Sequence, residues 1–321
     1  MAKSKTFMAV LLFLFFTPLS AVESQDPIAW LERMSRSAQE LDYEGVFVYR
    51  SGDQPLQTLR IIHSGEKGKE RLIALSGPLR EVIREGNRVA CLLPGQSSLF
   101  IDPAGERGTL PLRLPSQFQA LQRFYEITFD GEGRVANLGT RKVKIRPKDQ
   151  FRYGHNYWIA GDSGLLLRAE LLDERESVIE EVVFTSVKVH ERIPLRMLES
   201  ETSAVTSNWQ ELDKTGEQVE NSTWKVENAP PGFEKVVHRR RSAAQDAPSA
   251  EHLVLTDGLA SVSIFIEPTD ENHSPAKMRQ GPLNARMEMV DHHRVTVVGE
   301  VPAAAAERIA DGVRSIRKES Q

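Results

Sequence analysis

The alternation of apolar and polar positions changes character several times along the chain. Phe7 to Phe16 (FMAVLLFLFF) is an unbroken apolar run behind Lys3 and Lys5, and TPLSA follows, ending at Ala21. A basic start, a short apolar stretch and a small-residue end form a secretory signal peptide. The apolar run is too short for a membrane-spanning helix, which needs about 20 residues. Residues 1–21 are therefore expected to be removed on export. The next stretch has helical period: Asp26 can cap, Pro27 fits the first turn, and Ile28, Leu31, Met34, Ala38 and Leu41 form one apolar stripe.

From Gly45 to Val189 the period becomes two. Val46–Tyr49, Leu59–Ile61, Val82–Ile83, Val89–Leu92 and Leu99–Ile101 read as short strands, separated by turn residues such as Ser51-Gly52-Asp53 and Pro94-Gly95. Ser116 is placed to cap a helix carrying Phe118, Leu121 and Tyr125 on one face. Val143 and Ile145 alternate with Lys142, Lys144 and Arg146, the signature of an antiparallel sheet with one wet face. A strand over Phe151 to Ile159 would point Phe151, Tyr153, His155, Tyr157 and Ile159 to one side. Leu165 to Leu171 returns beside it, and another strand runs from Val178 to Val189. Many meandering strands with two helices predict a mainly β fold with some α: a strongly curved sheet or open antiparallel β-barrel capped by helices.

Residues 193–208 lose any sustained period and read as a linker between a domain at 22–192 and a second at 209–321. The second carries strands around Trp224, Phe233–His238, Leu253–Leu255, Val262–Ile266 and Arg294–Val298. It closes with a helix starting near Pro302 that carries Ala305, Ile309, Val313 and Ile316 on one stripe, making a smaller α+β domain.

Composition narrows the function classes. Lys+Arg number 41 against 45 Asp+Glu, a formal charge of -4, which argues against a nucleic-acid partner. Cys91, the single cysteine, excludes an intrachain disulfide and any cysteine-based zinc cluster, and its apolar setting reads as a buried, inert thiol. The sequence contains no G-x-S-x-G, H-E-x-x-H, P-loop or G-x-G-x-x-G motif, so no catalytic residue, metal site or cofactor is expected. His292 and His293 would face opposite ways on a strand and could not share a metal. His155 reads as a core histidine bonded to a neighbour, or as a polar group in a ligand cavity.

Two binding features remain. The apolar faces either fill a core or line a gap that takes acyl chains; the lining residues would be Phe47, Tyr49, Phe151, Tyr153, His155, Tyr157 and Ile159. Arg239, Arg240 and Arg241 form the dense basic run, read as a solvated strand end or as an anion or partner site, with Phe233 as a nearby exposed-loop aromatic.

Longer segments carry a resemblance. DQFRYGHNYWIAGDSGLLLRAELLDE, the PPGF at 230–233, the nearby RRRS, DGLASVSIFIEP from Asp257 to Pro268, and VTVVGEVPAAAAERIADGVRSI together resemble the RseB/MucB family. They run in order through both proposed domains. The resemblance implies a large N-terminal domain like the LolA/LolB lipoprotein carriers, an unclosed barrel capped by helices. It also implies a smaller C-terminal domain that holds the periplasmic region of a membrane-spanning anti-sigma factor (RseA/MucA type). It implies a periplasmic negative regulator of a sigma-E (AlgU) type factor, which shields the anti-sigma factor from proteolysis until lipid or lipopolysaccharide loosens the complex. A homodimer, no enzymatic activity and no metal are further implications. A lipid or lipoprotein carrier without a regulatory partner is the alternative.

Overall fold

The computed structural model describes residues 26–78, 80–86, 88–92, 118–200, 217–219, 222–241, 249–271 and 273–316. The expected signal peptide, the strand at Leu99–Ile101 and the cap at Ser116 lie outside these. The first helix, α1 (Pro27–Glu40), forms as its sequence dictates: Asp26 accepts a hydrogen bond from Ile28 N (2.9 Å) and Pro27 occupies the first turn. Its buried face is Ile28, Trp30, Leu31 and Met34, with Ser35 and Ser37.

One antiparallel sheet of ten strands follows: β1 (Asp42–Ser51), β2 (Gln57–Ser64), β3 (Lys69–Ala74), β4 (Glu81–Glu85), β5 (Arg88–Leu92), β6 (Tyr125–Val135), β7 (Leu138–Pro147), β8 (Gly154–Ala160), β9 (Leu166–Leu172) and β10 (Val178–His190). The spatial order is β5-β4-β3-β2-β1-β10-β9-β8-β7-β6. Two meanders, one on each side, meet at the long β1–β10 pairing, and β5 and β6 do not pair, so the barrel stays open. The short helix α2 (Phe118–Leu121) enters β6 directly. The expected longer helix through Tyr125 is corrected: Tyr125 already pairs with Pro147 as the first residue of β6. The alternation at β7 holds, since Val143 and Ile145 are fully buried while Lys142 and Lys144 reach Asp130 at 2.7 and 3.2 Å.

Of the stretch expected to be a linker, Ile193 to Ser200 lies against the N-terminal sheet. Ile193 and Leu198 are buried with Ile62, Ile193 N donates to Asp42 (2.7 Å), and Arg71 donates to Met197 O (3.1 Å).

The second domain is a seven-stranded antiparallel sheet of β11 (Glu217–Gln218), β13 (Glu234–Arg241), β14 (Ala250–Thr256), β15 (Ser261–Pro268), β16 (Ala276–Gln280), β17 (Leu283–Val290) and β18 (His293–Gly299). The order is β11-β13-β14-β15-β18-β17-β16. A two-stranded pair of β12 (Trp224–Val226) and β19 (Val313–Ser315), with helix α3 (Ala303–Ala310), completes it. The core joins Leu253, Val262, Ile264, Val295 and Val297 of the sheet to Ala305, Ala306 and Ile309 of α3.

Two expectations are corrected here. The terminal helix stops at Ala310, and Val313 belongs to β19 while Ile316 is 43% exposed. The reason lies at Gly312: a Cβ there would sit 1.9 Å from Glu227 O, whose residue also donates its N–H to Gly312 O (2.7 Å). Only a glycine lets the chain pass β12 and pair with it. Second, Asp291 and His292 are the turn between β17 and β18, not strand residues. Both have positive φ (45° and 60°), and Val290 pairs with His293, as in a two-residue hairpin. The sequence reading also passed over β3, β16 and β17. All five residues of β16 are exposed, so it carries no alternation to read.

Candidate functional site

Strand register decides which apolar residues share a face. Phe129, Val143, Tyr157, Ala169, Val182 and Tyr49 are successive cross-strand neighbours from β6 through β7, β8, β9 and β10 to β1. Side chains alternate along a strand, so Phe47 and Ile159 stand on that same face. Tyr157 and Ile159 pack beneath α1 and α2 with Leu31, Met34, Phe118 and Leu121. Phe47 belongs to the neighbouring cluster with Tyr43, Ile61, Val182 and Phe184, and Tyr49 lies against it. Phe47 and Phe184 hold their ring centroids 5.3 Å apart. His155 sits at the end of this face with Nδ1 3.3 Å from the Tyr157 hydroxyl. Burial lowers its pKa to about 4, against a raising effect from Asp257, so the ring is neutral. Both readings of His155 share this bond.

The other predicted members of that face do not join it. β8 begins at Gly154, because Asp149 accepts a hydrogen bond from Phe151 N (2.9 Å) and holds the chain in a turn. Phe151 instead packs against the C-terminal core, with the Arg308 guanidinium 4.9 Å from its ring. The Tyr153 hydroxyl donates to Pro282 O (3.2 Å) and accepts from Asn284 Nδ2 (3.0 Å), both in the second domain. Beside Phe151 lies an open cleft of about 500 Å³, lined from one domain by Gln150 and Phe151 and from the other by Asn228, Ala304, Glu307 and Arg308.

Between Phe151 and Tyr153, Arg152 is the largest fully buried side chain among the described residues. The Arg152 side chain is 0% exposed. Its Nε donates to Asp257 Oδ2 at 2.6 Å, its Nη1 to Asp149 and its Nη2 to Pro231 O. The guanidinium stacks 4.7 Å from the Phe124 ring and 5.0 Å from Phe233. Asp257, also 0% exposed, takes a further bond from the Tyr125 hydroxyl (2.8 Å) and caps its own turn through Leu259 N and Ala260 N. Burial and the adjacent Asp257 push the Tyr125 pKa well above its ordinary value, so it stays a donor. Gly232 has φ +87°, and a Cβ there would lie 2.3 Å from the Phe124 ring, so the two domains touch at a point no side chain fits.

Sequence reasoning missed this junction. It singled out neither Arg152 nor Asp257, although both lie in segments that carried the family resemblance. The available signal was a lone arginine inside an aromatic stretch and a D-G-L-A turn, neither of which names its partner. Phe233 was expected to be an exposed aromatic; it is 8% exposed, because the PPGF turn folds it into the C-terminal core against Arg152.

The basic run is dispersed. Arg239 and Arg240 pair with Gln218 and Glu217 across β11, and Arg241 is the last residue of β13. Arg240 donates to Glu251 (2.8 Å), which His238 also contacts at 2.7 Å. Burial raises the Glu251 pKa, but these two partners outweigh it and hold the group ionised. Arg240 is thus half of an internal ion pair. Among the described residues no group of His, Cys, Asp and Glu is placed to hold a metal, and no helix is long and apolar enough to cross a membrane.

Comparison with known proteins follows this architecture domain by domain. The MucB/RseB N-terminal domain model matches residues 26–202 and the MucB/RseB C-terminal domain model matches residues 218–314. The sigma factor AlgU regulatory protein MucB of Pseudomonas aeruginosa is 32% identical over 306 residues, covering 92% of each chain. The sigma-E factor regulatory protein RseB of Salmonella typhimurium is 28% identical over 306 residues, covering 94% of each. Among solved structures, MucB in complex with MucA(peri) superposes with a TM-score of 0.72 at 28% identity, covering 91% of this chain and 100% of that one. A further structure of MucB gives 0.64 at 28% identity, covering 91% and 98%. Both domains, their order and their regulatory relatives agree: the chain belongs to the MucB/RseB family.

Proposed function

We propose that this chain is a periplasmic regulator that binds the periplasmic region of a transmembrane anti-sigma factor of the RseA/MucA type, shields it from proteolysis, and releases it when lipid enters the N-terminal domain. One observation carries this reading. Over 91% of its length the chain superposes on MucB in complex with MucA(peri), with a TM-score of 0.72 at 28% identity. A partner that selects one arrangement of two domains can be dismissed by any ligand that selects another. Regulation, not catalysis, is the activity, and the chain acts as an exported protein.

The described contacts supply a route for that coupling. Phe118 and Leu121 of α2 lie in the apolar cluster under α1, and Leu259 of the second domain packs against the same cluster. Three residues beyond Leu121, Phe124 abuts Gly232 and Arg152, and Tyr125 holds Asp257. An acyl chain entering beside Phe47, Tyr49, Tyr157 and Ile159 displaces packed side chains and gains about 0.8 kcal/mol per buried methylene. A few methylenes offset a conformational preference of several kcal/mol. Displacement of α2 is passed to the ion pair through four residues of backbone.

The test is a calorimetric titration of the exported chain into the periplasmic region of its own organism's anti-sigma factor, with and without lipopolysaccharide. Tight binding that lipopolysaccharide weakens is the expected result. Binding indifferent to lipid removes the trigger and keeps the regulator. No binding in either arm, with lipid transfer between membranes, favours the carrier reading.

A further inference from the structure

The cations of β7 divide by face. On the outer face Lys142 and Lys144 pair with Asp130 at 2.7 and 3.2 Å, and Arg146 donates to the Asn156 side-chain oxygen at 2.9 Å. Arg141 stands on the inner, apolar face: it lies opposite Ile159, just as Val143 lies opposite Tyr157. Its guanidinium carbon is 3.9 Å from the centre of the Phe129 ring and 5.5 Å from that of Trp30, the buried indole of α1. From α1 itself, Arg33 brings a second guanidinium to 5.7 Å from the same indole, and its Nη2 donates to Asp162 O at 2.6 Å. Among the described residues neither arginine has a carboxylate within ion-pair distance; Glu132, the cross-strand neighbour of Arg141 on β6, does not reach it. Two half-buried cations therefore meet the edge of an apolar cluster with aromatic rings and one carbonyl as their partners.

We infer that Arg141, assisted by Arg33, is a headgroup anchor: it takes the oxyanion of an amphiphile whose acyl chain lies on the apolar face beneath α1. This rests on the lipid entry proposed above and narrows its ligand to an anionic amphiphile. A ring attracts a cation but leaves the N–H fork of Arg141 without an acceptor from the protein, so its donors are open to an oxyanion. The planar fork matches a phosphate or carboxylate in two parallel bonds, which a neutral head cannot accept with the same strength. Position supports the same ligand. Phe129 lies on β6, the last strand of the sheet, and Val143, Tyr157 and Ile159 continue inward from Arg141 under Leu31 and Met34. A chain that enters over this edge leaves its head beside the two arginines.

The experiment titrates the full exported chain with three probes: dodecyl phosphate, the neutral dodecyl maltoside of the same chain length, and inorganic phosphate. Both amphiphiles are kept below their micellar concentrations, and calorimetry reads the affinity of the parent and of its Arg141→Gln, Arg141→Lys and Arg33→Gln variants. The parent is expected to bind dodecyl phosphate about tenfold more tightly than dodecyl maltoside. Arg141→Gln should abolish that preference and leave the dodecyl maltoside affinity unchanged, which also reports a folded domain. Arg141→Lys should restore part of it, since the charge returns without the fork. Arg33→Gln should lose a smaller factor, about threefold. Inorganic phosphate at equal concentration should not compete. Equal affinity for the two amphiphiles, or a preference that survives Arg141→Gln intact, overturns the anchor and keeps lipid entry. Inorganic phosphate that competes as well as dodecyl phosphate assigns the arginines to a free anion and overturns it too. If neither amphiphile binds the parent, the lipid trigger fails together with the anchor.

Discussion

The apolar face beneath α1 and α2 and the ionic junction around Arg152 are equally buried and built on opposite physics. In the apolar face, Leu31, Met34, Tyr157 and Ile159 contribute through area, and each loss is graded and local. At the junction, Arg152 is bonded to groups from both domains, and removing one partner strands a charge in a dry site. The first kind of contact yields by degrees to an inserted chain. The second is either made or broken. Residues 118–125 connect the two regions, with Phe118 and Leu121 in the apolar cluster and Tyr125 bonded to Asp257.

The comparison can be broken most severely at the ion pair. Arg152→Ala or Asp257→Ala should each lower stability by about 3–5 kcal/mol, while Arg152→Met with Asp257→Leu should cost less than either alone. Urea unfolding of the three variants measures this, and a double variant as unstable as the sum of the singles would deny the coupling. Leu31→Ala comes next. It should cost about 2–5 kcal/mol but leave the junction formed, so partner affinity at low temperature should persist although the melting temperature drops.

A smaller effect sharpens the contrast at the boundary of the two regions. Tyr153→Phe removes a hydroxyl bonded to Pro282 and Asn284, at a cost of about 1 kcal/mol, and should loosen the domains without altering the N-terminal core. Distances between spin labels placed one on each domain should broaden while the near-ultraviolet spectrum holds. His155 tests the pH behaviour of the apolar face. Its folded pKa of about 4 lies below the ordinary 6.5, so the unfolded chain binds the proton first. Stability is full above pH 6.5 and should decline as pH falls from there toward 4, by of order 1 kcal/mol or more. Melting curves of His155→Phe should be flatter across that window. The smallest change is Arg50→Ala, whose partner Glu181 lies at 3.5 Å on a wet face; a cost above about 0.5 kcal/mol would be unexpected.

Legibility in the sequence followed period and locality. Asp26 and Pro27 announce α1, and the alternation of Val143 and Ile145 with three cations announces β7, because each is a choice made by neighbours in sequence. Phe151 was misread, since alternation continued on paper through a turn that the Asp149 carboxylate bends. β16 left no pattern because neither of its faces is buried. Phe233 looked like a loop residue and is core, since the four residues of PPGF do not reveal that Arg152 lies above them.

By itself the sequence determined the strand-rich first domain, the separate second one, and the family to which their longer segments belong. Those properties are written in local periods and in contiguous segments, where neighbouring residues satisfy one another. Only the tertiary structure decided that Arg152 meets Asp257 across 105 positions and that Tyr49 and Tyr157 share one face. Such pairings depend on strand order and domain docking. A charge or a ring in a sequence carries no record of what stands opposite it until the sheets are laid side by side.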